Sequence, residues 1–151
     1  MPGKPPFAHV MLLLDGTEIS LRAADYALAL CECSDARLSV LAVVDTDTLR
    51  HLLGRRIIAH AEMGEIEAEL ERFTRKQLDH VSRLAGERNI PLHATLAKGA
   101  LRGAVLEAVG RLKADLVVMG GYTSSIVRRD LAAYERQGVV DELHIPVVLV
   151  K

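Results

Sequence analysis

Aromatic residues are scarce in this chain, and their scarcity narrows the classes of function that it can serve. Tryptophan is absent, and aromatic residues make up only 3% of the 151 residues. Proteins that bind single-stranded nucleic acid commonly stack the bases on aromatic rings. The chain also lacks an excess of positive charge, because 19 Lys and Arg residues face 20 Asp and Glu residues. A basic face is the usual mark of a nucleic-acid binder, so we expect no nucleic-acid partner.

Cysteine is equally sparse, and neither cysteine nor histidine is spaced to hold a metal ion. Cys31 and Cys33 lie near the end of a predicted helix, where a spacing of two residues points side chains to nearly opposite sides. No two of the six histidines have the H-x-x-x-H spacing of a helical zinc site. We therefore expect no metal, and we interpret the two cysteines as ordinary helix residues.

No hydrophobic run is long enough to cross a bilayer. Near the N-terminus, Val10 to Leu14 gives five apolar residues before Asp15, whereas a membrane-spanning helix needs about 20. The same run is shorter than the apolar part of a secretory signal. The sequence therefore predicts a cytoplasmic protein with no membrane partner.

Aliphatic residues are abundant, and they form short runs that alternate with helix-like segments. Half of the residues are hydrophobic, and the length suits a single domain over residues 1–151. Continuous apolar runs are typical of strands buried on both faces, and their alternation with helices indicates parallel β-α-β units. The predicted strands are His9 to Leu14, Leu38 to Val44, Pro91 to Leu96, Leu116 to Met119 and Pro146 to Val150.

Four helices are predicted between these strands. Their approximate ranges are Ser20 to Cys33, Glu62 to Arg88, Ala100 to Lys113 and Leu131 to Leu143. The second has the clearest apolar stripe, formed by Ile66, Leu70, Phe73, Val81 and Leu84. Residues 46–61, which precede it, mix leucine and isoleucine with arginine. Two interpretations of this segment stay open: a short helix on the edge of the domain, or a lid or partner surface beside the ligand crevice.

Three sequence motifs, in this order along the chain, resemble those of the universal stress protein family. They are VMLLLDGT at 10–17, KGALRGAVLEAV at 98–109 and DLVVMGGYTSSIVRRDLAAYERQGVVDELHIPVVLV at 115–150. The resemblance implies a Rossmann-like α/β fold, a doubly wound open sheet of five parallel strands in the order 3-2-1-4-5 with helices on both faces. In such sheets ligands bind where the strand order reverses, here between strands 1 and 4. The resemblance also implies a homodimer paired through the C-terminal strand.

The glycine-rich loop of the family's nucleotide-binding members is altered in this chain. That loop has Gly, two residues, Gly, nine residues, and then Gly followed by Ser or Thr. Aligned without gaps from the last strand, these positions are Gly120, Thr123, Ala133 and Tyr134. Glycines at such places let backbone N–H groups approach phosphate oxygens. Since only the first glycine is kept, we expect ATP to bind weakly or not at all.

The other candidate ligand residues leave alternatives open. Asp15 ends strand 1, where the resemblance implies a nucleotide contact. The alternative is that Asp15 hydrogen-bonds the next turn and starts the helix. Val44 matches the apolar wall against which the family places adenine, although a core valine needs no function. Ser124 supplies a hydroxyl, and Arg128 and Arg129 offer guanidinium groups that take phosphate without glycines.

These features together predict a regulatory or interaction module similar to universal stress proteins, with a homodimer and a protein partner as its assemblies. No enzyme activity is expected, because no histidine or acid is placed beside the serines to activate them. No cofactor is expected either. The alternative is a member that binds ATP or AMP through an altered phosphate loop. A more distant alternative is a small hydrolase of nucleotides or phosphate esters.

Overall fold

The computed structural model describes residues 3–55, 59–121 and 135–151. Within them, five strands form one sheet in which every neighbouring pair is parallel. The strands are β1 (His9–Leu14), β2 (Arg37–Val44), β3 (Leu92–Lys98), β4 (Leu116–Gly120) and β5 (Val147–Val150). Their spatial order is β3-β2-β1-β4-β5, so the predicted fold class and strand order are confirmed.

Helices connect the strands and cover both faces of the sheet. They are α1 (Glu18–Ser34), α2 (Thr46–Gly54), α3 (His60–Glu87) and α4 (Leu101–Leu112), and residues 135–142 are also helical. The segment 46–61 thus contains the short helix of the first interpretation. None of the helices in the described ranges combines the length and the apolarity needed to cross a membrane.

Alternate residues of the central strand β1 enter two separate apolar cores. Val10, Leu12 and Leu14 pack in a cluster with residues of α1 and α3. Met11 and Leu13 pack in a second cluster with residues of α4 and with Val139. Since successive side chains of a strand point to opposite faces, all six residues of β1 are buried. This double burial explains why the strand appears in the sequence as an unbroken apolar run.

The apolar stripe predicted for α3 is wrong at Phe73, which is 56% exposed. The helix instead buries Thr74, Gln77, Val81 and Ala85. This face meets the turn after β1, where Gly16 has a φ of +85° and a Cβ would lie 3.0 Å from the Thr74 hydroxyl oxygen. Gln77 also donates to the Thr17 carbonyl at 3.0 Å. Leu70 Cδ1 would lie equally close to that Cβ. The face of α3 that meets this turn thus includes Leu70, Thr74 and Gln77, whereas Phe73 is exposed to solvent.

Candidate functional site

The candidate crevice lies at the carboxyl ends of β1 and β4, where the order of the strands reverses. Asp15 follows β1 directly, and Gly120 is the last residue of β4. The two strands pair in parallel register, with Met11 opposite Val117. Val44 ends β2, the neighbour of β1 on the other side. Three of the predicted site residues therefore end adjacent strands at one edge of the sheet, which is where doubly wound sheets bind ligands.

The carboxylate of Asp15 is held by the protein through both of its oxygens. Oδ1 accepts from the backbone N–H of Thr17 at 3.1 Å and from the Thr17 hydroxyl at 2.5 Å. Thr17 in turn caps α1, because its hydroxyl oxygen accepts from the Ser20 backbone N–H. The interpretation that Asp15 hydrogen-bonds the next turn and starts the helix is thus confirmed for Oδ1. The ligand role of Asp15 stays a prediction. The other oxygen, Oδ2, pairs with Arg136.

Arg136 is the residue of this site that sequence reasoning missed. Its side chain is 4% exposed and that of Asp15 is 10% exposed, so the two form a buried ion pair across 121 positions of sequence. The Nη2 group of Arg136 donates to Asp15. Its Nη1 group is buried and has no hydrogen-bond partner in the described part of the chain.

The sequence contained a signal for this burial. Arg136 precedes Val139, Val140 and Leu143 at helical spacings of three, four and seven residues, which places it on the apolar face of its helix. Val139 is fully buried, and Val140 and Leu143 pack against the same core cluster. A lone arginine on such a face is unusual, because arginine is almost never fully buried unless it is paired. The spacing therefore indicated a buried partner, although it could not indicate which one.

Gly120, the one glycine that the altered loop keeps, has a packing role of its own. A Cβ at this position would lie 2.8 Å from Ile19 Cγ2 and 3.1 Å from the Ile19 carbonyl carbon. Any larger residue would push the first turn of α1 away from β4. The glycine is therefore needed for the contact between α1 and the sheet whether or not a phosphate binds nearby.

Val44 is fully buried, and the surface beside it is polar. The strand register places it opposite Lys98, the last residue of β3, and its carbonyl accepts from the Gly99 N–H at 3.2 Å. The Lys98 ammonium lies 2.6 Å from Glu71 Oε2, and Arg75 contacts the other oxygen of Glu71. Hydrogen bonds from Lys98 and Arg75 lower the pKa of Glu71 below its ordinary value. The predicted adenine contact of Val44 stays a prediction.

The remaining predicted site residues lie outside the described residues. They are Thr123, Ser124, Ala133 and Tyr134, together with Arg128 and Arg129. Among the residues that are described, no group of three or more His, Cys, Asp or Glu side chains is arranged to hold a metal ion. Cys31 is buried and Cys33 is exposed. Burial, and to a lesser degree Cys33, raises the pKa of the Cys31 thiol to about 11.

A second polar group lies at the opposite, amino end of the sheet. His9 is 7% exposed, and its Nε2 lies 2.6 Å from the hydroxyl oxygen of Ser39 on β2. Burial, followed by the positive charge of Arg37, lowers the pKa of His9. The carboxylate of Asp115 accepts from the backbone N–H groups of Ala8 at 2.8 Å and His9 at 2.9 Å. These polar side chains fasten β1 to β2 and to the segment that enters β4.

The fold and the position of the crevice define a doubly wound α/β protein with its ligand edge at the carboxyl ends of the central strands. Residues 6–151 match the family model described as the universal stress protein family. The chain therefore belongs to the universal stress protein family.

Known proteins similar to this chain include both a sequence relative and solved structures. A universal stress protein of Methanocaldococcus jannaschii is 26% identical over 149 residues, which is 99% of this chain and 85% of that protein. A universal stress protein solved in complex with cAMP has a TM-score of 0.65 and 22% identity, covering 97% of this chain and 98% of that one. A universal stress protein family protein from Arabidopsis thaliana with AMP bound has a TM-score of 0.61 and 13% identity, covering 95% of this chain and 91% of that one. At these identities the two structures share the fold with this chain.

Proposed function

We propose that this universal stress protein is a cytoplasmic regulatory or interaction module that does not hold ATP tightly. The observation that carries the proposal is the use of Asp15 by the protein itself. Its Oδ1 accepts two hydrogen bonds from Thr17, and its Oδ2 pairs with Arg136. Three of the roughly four acceptor positions of this carboxylate are thus taken by the protein, and one of these contacts is the charge-assisted pair with Arg136, a class that includes the stronger hydrogen bonds in proteins.

The phosphate side of the crevice supports the same conclusion from the sequence. Thr123, Ala133 and Tyr134 stand where the family's nucleotide-binding pattern has two glycines and a Ser or Thr. Loss of two or three charge-assisted hydrogen bonds, at about 1.5 to 3 kcal/mol each, would weaken binding by several orders of magnitude. Gly120 gives no argument for a phosphate, because its packing against Ile19 already accounts for it.

We propose no catalytic activity. Among the described residues, Asp15 and Glu71 are both engaged in structural contacts, Asp15 with Thr17 and Arg136 and Glu71 with Lys98. A general base must be within hydrogen-bond reach of the proton that it removes. A hydrolase would require turnover of a nucleotide or phosphate ester that disappears with Asp15→Ala, and such turnover would refute this part of the proposal.

The main test is to restore the loop. A triple change, Thr123→Gly, Ala133→Gly and Tyr134→Ser, should create or strengthen ATP binding in calorimetry and leave adenosine binding nearly unchanged. Nucleotide released from the denatured purified protein, detected by absorbance or mass, serves as an independent check. Low-micromolar ATP binding by the unaltered protein, or no effect of the triple change in a folded protein, would contradict the proposal.

The alternative function is a nucleotide-binding stress protein with an altered phosphate loop. It is favoured by the cAMP and AMP complexes of two proteins that share this fold. Each of these ligands carries a single phosphate, so neither requires a full triphosphate loop. Low-micromolar binding of AMP, with an affinity well above that for ATP, would support this alternative over a module that holds no nucleotide tightly.

We also propose a homodimer paired through β5. This strand ends the sheet and, within the described strands, pairs with β4 alone. Its sequence is uniformly apolar, and Leu149 is 39% exposed, whereas exposed sheet edges are usually protected by charges or prolines. A second copy of the strand would cover this edge.

The dimer can be tested at two positions of β5. Val148→Lys should shift the mass in solution toward monomer. Val148 also packs against the core cluster, so a lysine there perturbs folding as well. Leu149→Lys is therefore the cleaner variant, because the side chain is already partly exposed. A wild-type monomer at micromolar concentration, or dimers unchanged by both variants, would refute the proposed interface.

A further inference from the structure

The Asp15–Arg136 pair has a spare hydrogen-bond donor and few spare acceptors. An ionised carboxylate has about four acceptor positions and no donor, while a guanidinium has five N–H groups and no acceptor. Three protein donors already bind Asp15: the Thr17 N–H, the Thr17 hydroxyl and Arg136 Nη2. Arg136 Nη1, by contrast, is buried without a partner among the described residues. A ligand beside this pair would thus meet donors more readily than acceptors.

An unpaired nitrogen on a buried guanidinium is unfavourable. Nearly all buried polar groups in proteins have a hydrogen-bond partner, and an exception indicates a strained site, a functional role or a bound water or ion. The other buried nitrogen of the described residues without a hydrogen bond of good geometry, His9 Nδ1, is different in kind. The Leu112 backbone lies near enough to the His9 ring to act on its pKa. An imidazole can stay neutral, and burial favours that form by lowering the pKa of His9, whereas a guanidinium stays charged in proteins. Arg136 Nη1 therefore requires a hydrogen-bond acceptor, and a negatively charged acceptor is the most favourable one.

We propose that Arg136 binds a compact oxyanion, either free phosphate or the phosphate of a monoester, through its Nη1 edge. Asp15 holds the guanidinium through Nη2, and this contact sets the orientation of the Nη1 group that would bind the anion. This inference rests on the proposed function in one respect, because it assumes that ATP does not already fill the crevice. It names the class of ligand that the same crevice would take instead of a triphosphate.

The charge balance at the pair limits the ligand to one phosphate and a modest affinity. The negative charge of Asp15 offsets that of Arg136, and two like charges 4 Å apart repel by several kcal/mol even at an effective dielectric constant near 20. An anion on Nη1 therefore gains less from Arg136 than it would from an unpaired arginine. If Asp15 is neutralised while its shape is kept, anion affinity should rise.

The experiment is calorimetry with four probes: inorganic phosphate, AMP, adenosine and ATP. We expect the wild-type protein to bind phosphate or AMP in the millimolar range, and adenosine more weakly than AMP. AMP tighter than phosphate would identify a nucleoside monophosphate as the source of the anion, and equal affinities would identify free phosphate. Asp15→Asn should strengthen phosphate or AMP binding by roughly tenfold or more, because it removes the competing charge.

Two variants and a control assign the effect to Arg136. Arg136→Met should weaken phosphate and AMP binding at least tenfold, and the double variant Asp15→Asn/Arg136→Met should do the same without leaving a buried charge unpaired. The matched control is Arg102→Met, since Arg102 also forms an ion pair, with Glu142, but its side chain is 34% exposed. This control should bind the probes as the wild type does.

The outcomes separate this inference from the proposed function. If neither the wild type nor Asp15→Asn binds phosphate or AMP at millimolar concentrations, the inference is wrong. It is also wrong if the folded double variant binds them as well as Asp15→Asn does. Low-micromolar ATP binding by the wild type would instead refute the proposed function, and the Arg136 variants would still decide whether Arg136 contacts the phosphate.

Discussion

The two ends of the sheet both carry buried or half-buried polar side chains, but those side chains make different contacts. At the amino end, Asp115 accepts hydrogen bonds from two backbone N–H groups, and His9 forms a hydrogen bond with Ser39. At the carboxyl end, Asp15 binds Thr17 and the guanidinium of Arg136. The first set consists of a carboxylate on backbone amides and a histidine–serine pair in which burial lowers the pKa of the histidine. The second contains the buried, fully charged guanidinium of Arg136, whose Nη1 has no hydrogen-bond partner among the described residues.

This difference separates polar groups that hold a fold together from groups that are available to a ligand. At the amino end the carboxylate accepts from backbone N–H groups at the start of the strand, and the unpaired nitrogen belongs to the His9 ring, whose pKa is lowered by burial. At the carboxyl end the unpaired nitrogen belongs to the permanently charged guanidinium of Arg136. The charge of Asp15 balances that of Arg136, but Nη1 still lacks a hydrogen-bond acceptor among the described residues. The variants below test this distinction, from the largest expected effect to the smallest.

The largest effect is expected from Asp15→Ala. It leaves the guanidinium of Arg136 buried without a counter-charge, and breaking a buried ion pair in this way costs roughly 3 to 5 kcal/mol of unfolding free energy. Urea denaturation measures the loss. The double variant Asp15→Ala/Arg136→Met should be more stable than Asp15→Ala alone, because it removes the stranded charge. Additive losses would show that the two side chains are not coupled.

A smaller effect is expected at the amino end from Asp115→Ala. The carboxylate accepts from the N–H groups of Ala8 and His9, and hydrogen bonds to a charged group contribute about 1.5 to 3 kcal/mol. One of the two bonds is exposed, so the total should stay within that range. Asp115→Asn keeps one acceptor oxygen and should lose less stability in the same urea titration. A loss as large as that of Asp15→Ala would remove the contrast between the two ends.

Ser39→Ala should cost less again, about 1 to 2 kcal/mol, because it strands a neutral nitrogen rather than a charge. The lost partner is the hydroxyl that lies 2.6 Å from His9 Nε2. The ordering of the three variants by thermal or urea denaturation is the result that matters. If Ser39→Ala were the most damaging, the histidine–serine pair would be the stronger structural element and the comparison would reverse.

The smallest effect is a pH dependence that belongs to His9. Burial lowers the pKa of His9 from its ordinary value of 6.5, so below that value the unfolded chain binds a proton that the folded chain resists. The unfolding free energy should therefore be fully present above about pH 6.5 and fall as the pH drops toward the lowered pKa. His9→Gln should flatten this part of the curve between about pH 7.5 and 5.5, relative to the wild type. An unchanged slope in the variant would assign the dependence to other groups.

Much of the fold could be predicted because its signals are local. The apolar runs of β1 and β4 are continuous and that of β2 is interrupted only by Ser39, since both faces of the sheet are covered, and the structure has strands at those positions. Turn and cap residues such as Asp15 and Thr17 mark the start of α1, and their hydrogen bonds are made within a few residues of sequence. The strand order came from the family resemblance, and the motifs that carry this resemblance are also contiguous stretches of sequence.

The tertiary structure alone decided which long-range neighbours these residues have. The sequence placed Phe73 on an apolar stripe with Leu70, but the turn at Gly16 meets Leu70 and Thr74 of α3, and Phe73 is exposed. It marked Gly120 as part of a phosphate loop, but Ile19 of a different element is what a side chain there would strike. Helical spacing put Arg136 on a buried face, yet its partner lies 121 positions away. Periodicity reports the face of an element, whereas the partner across that face depends on how the whole chain is wound.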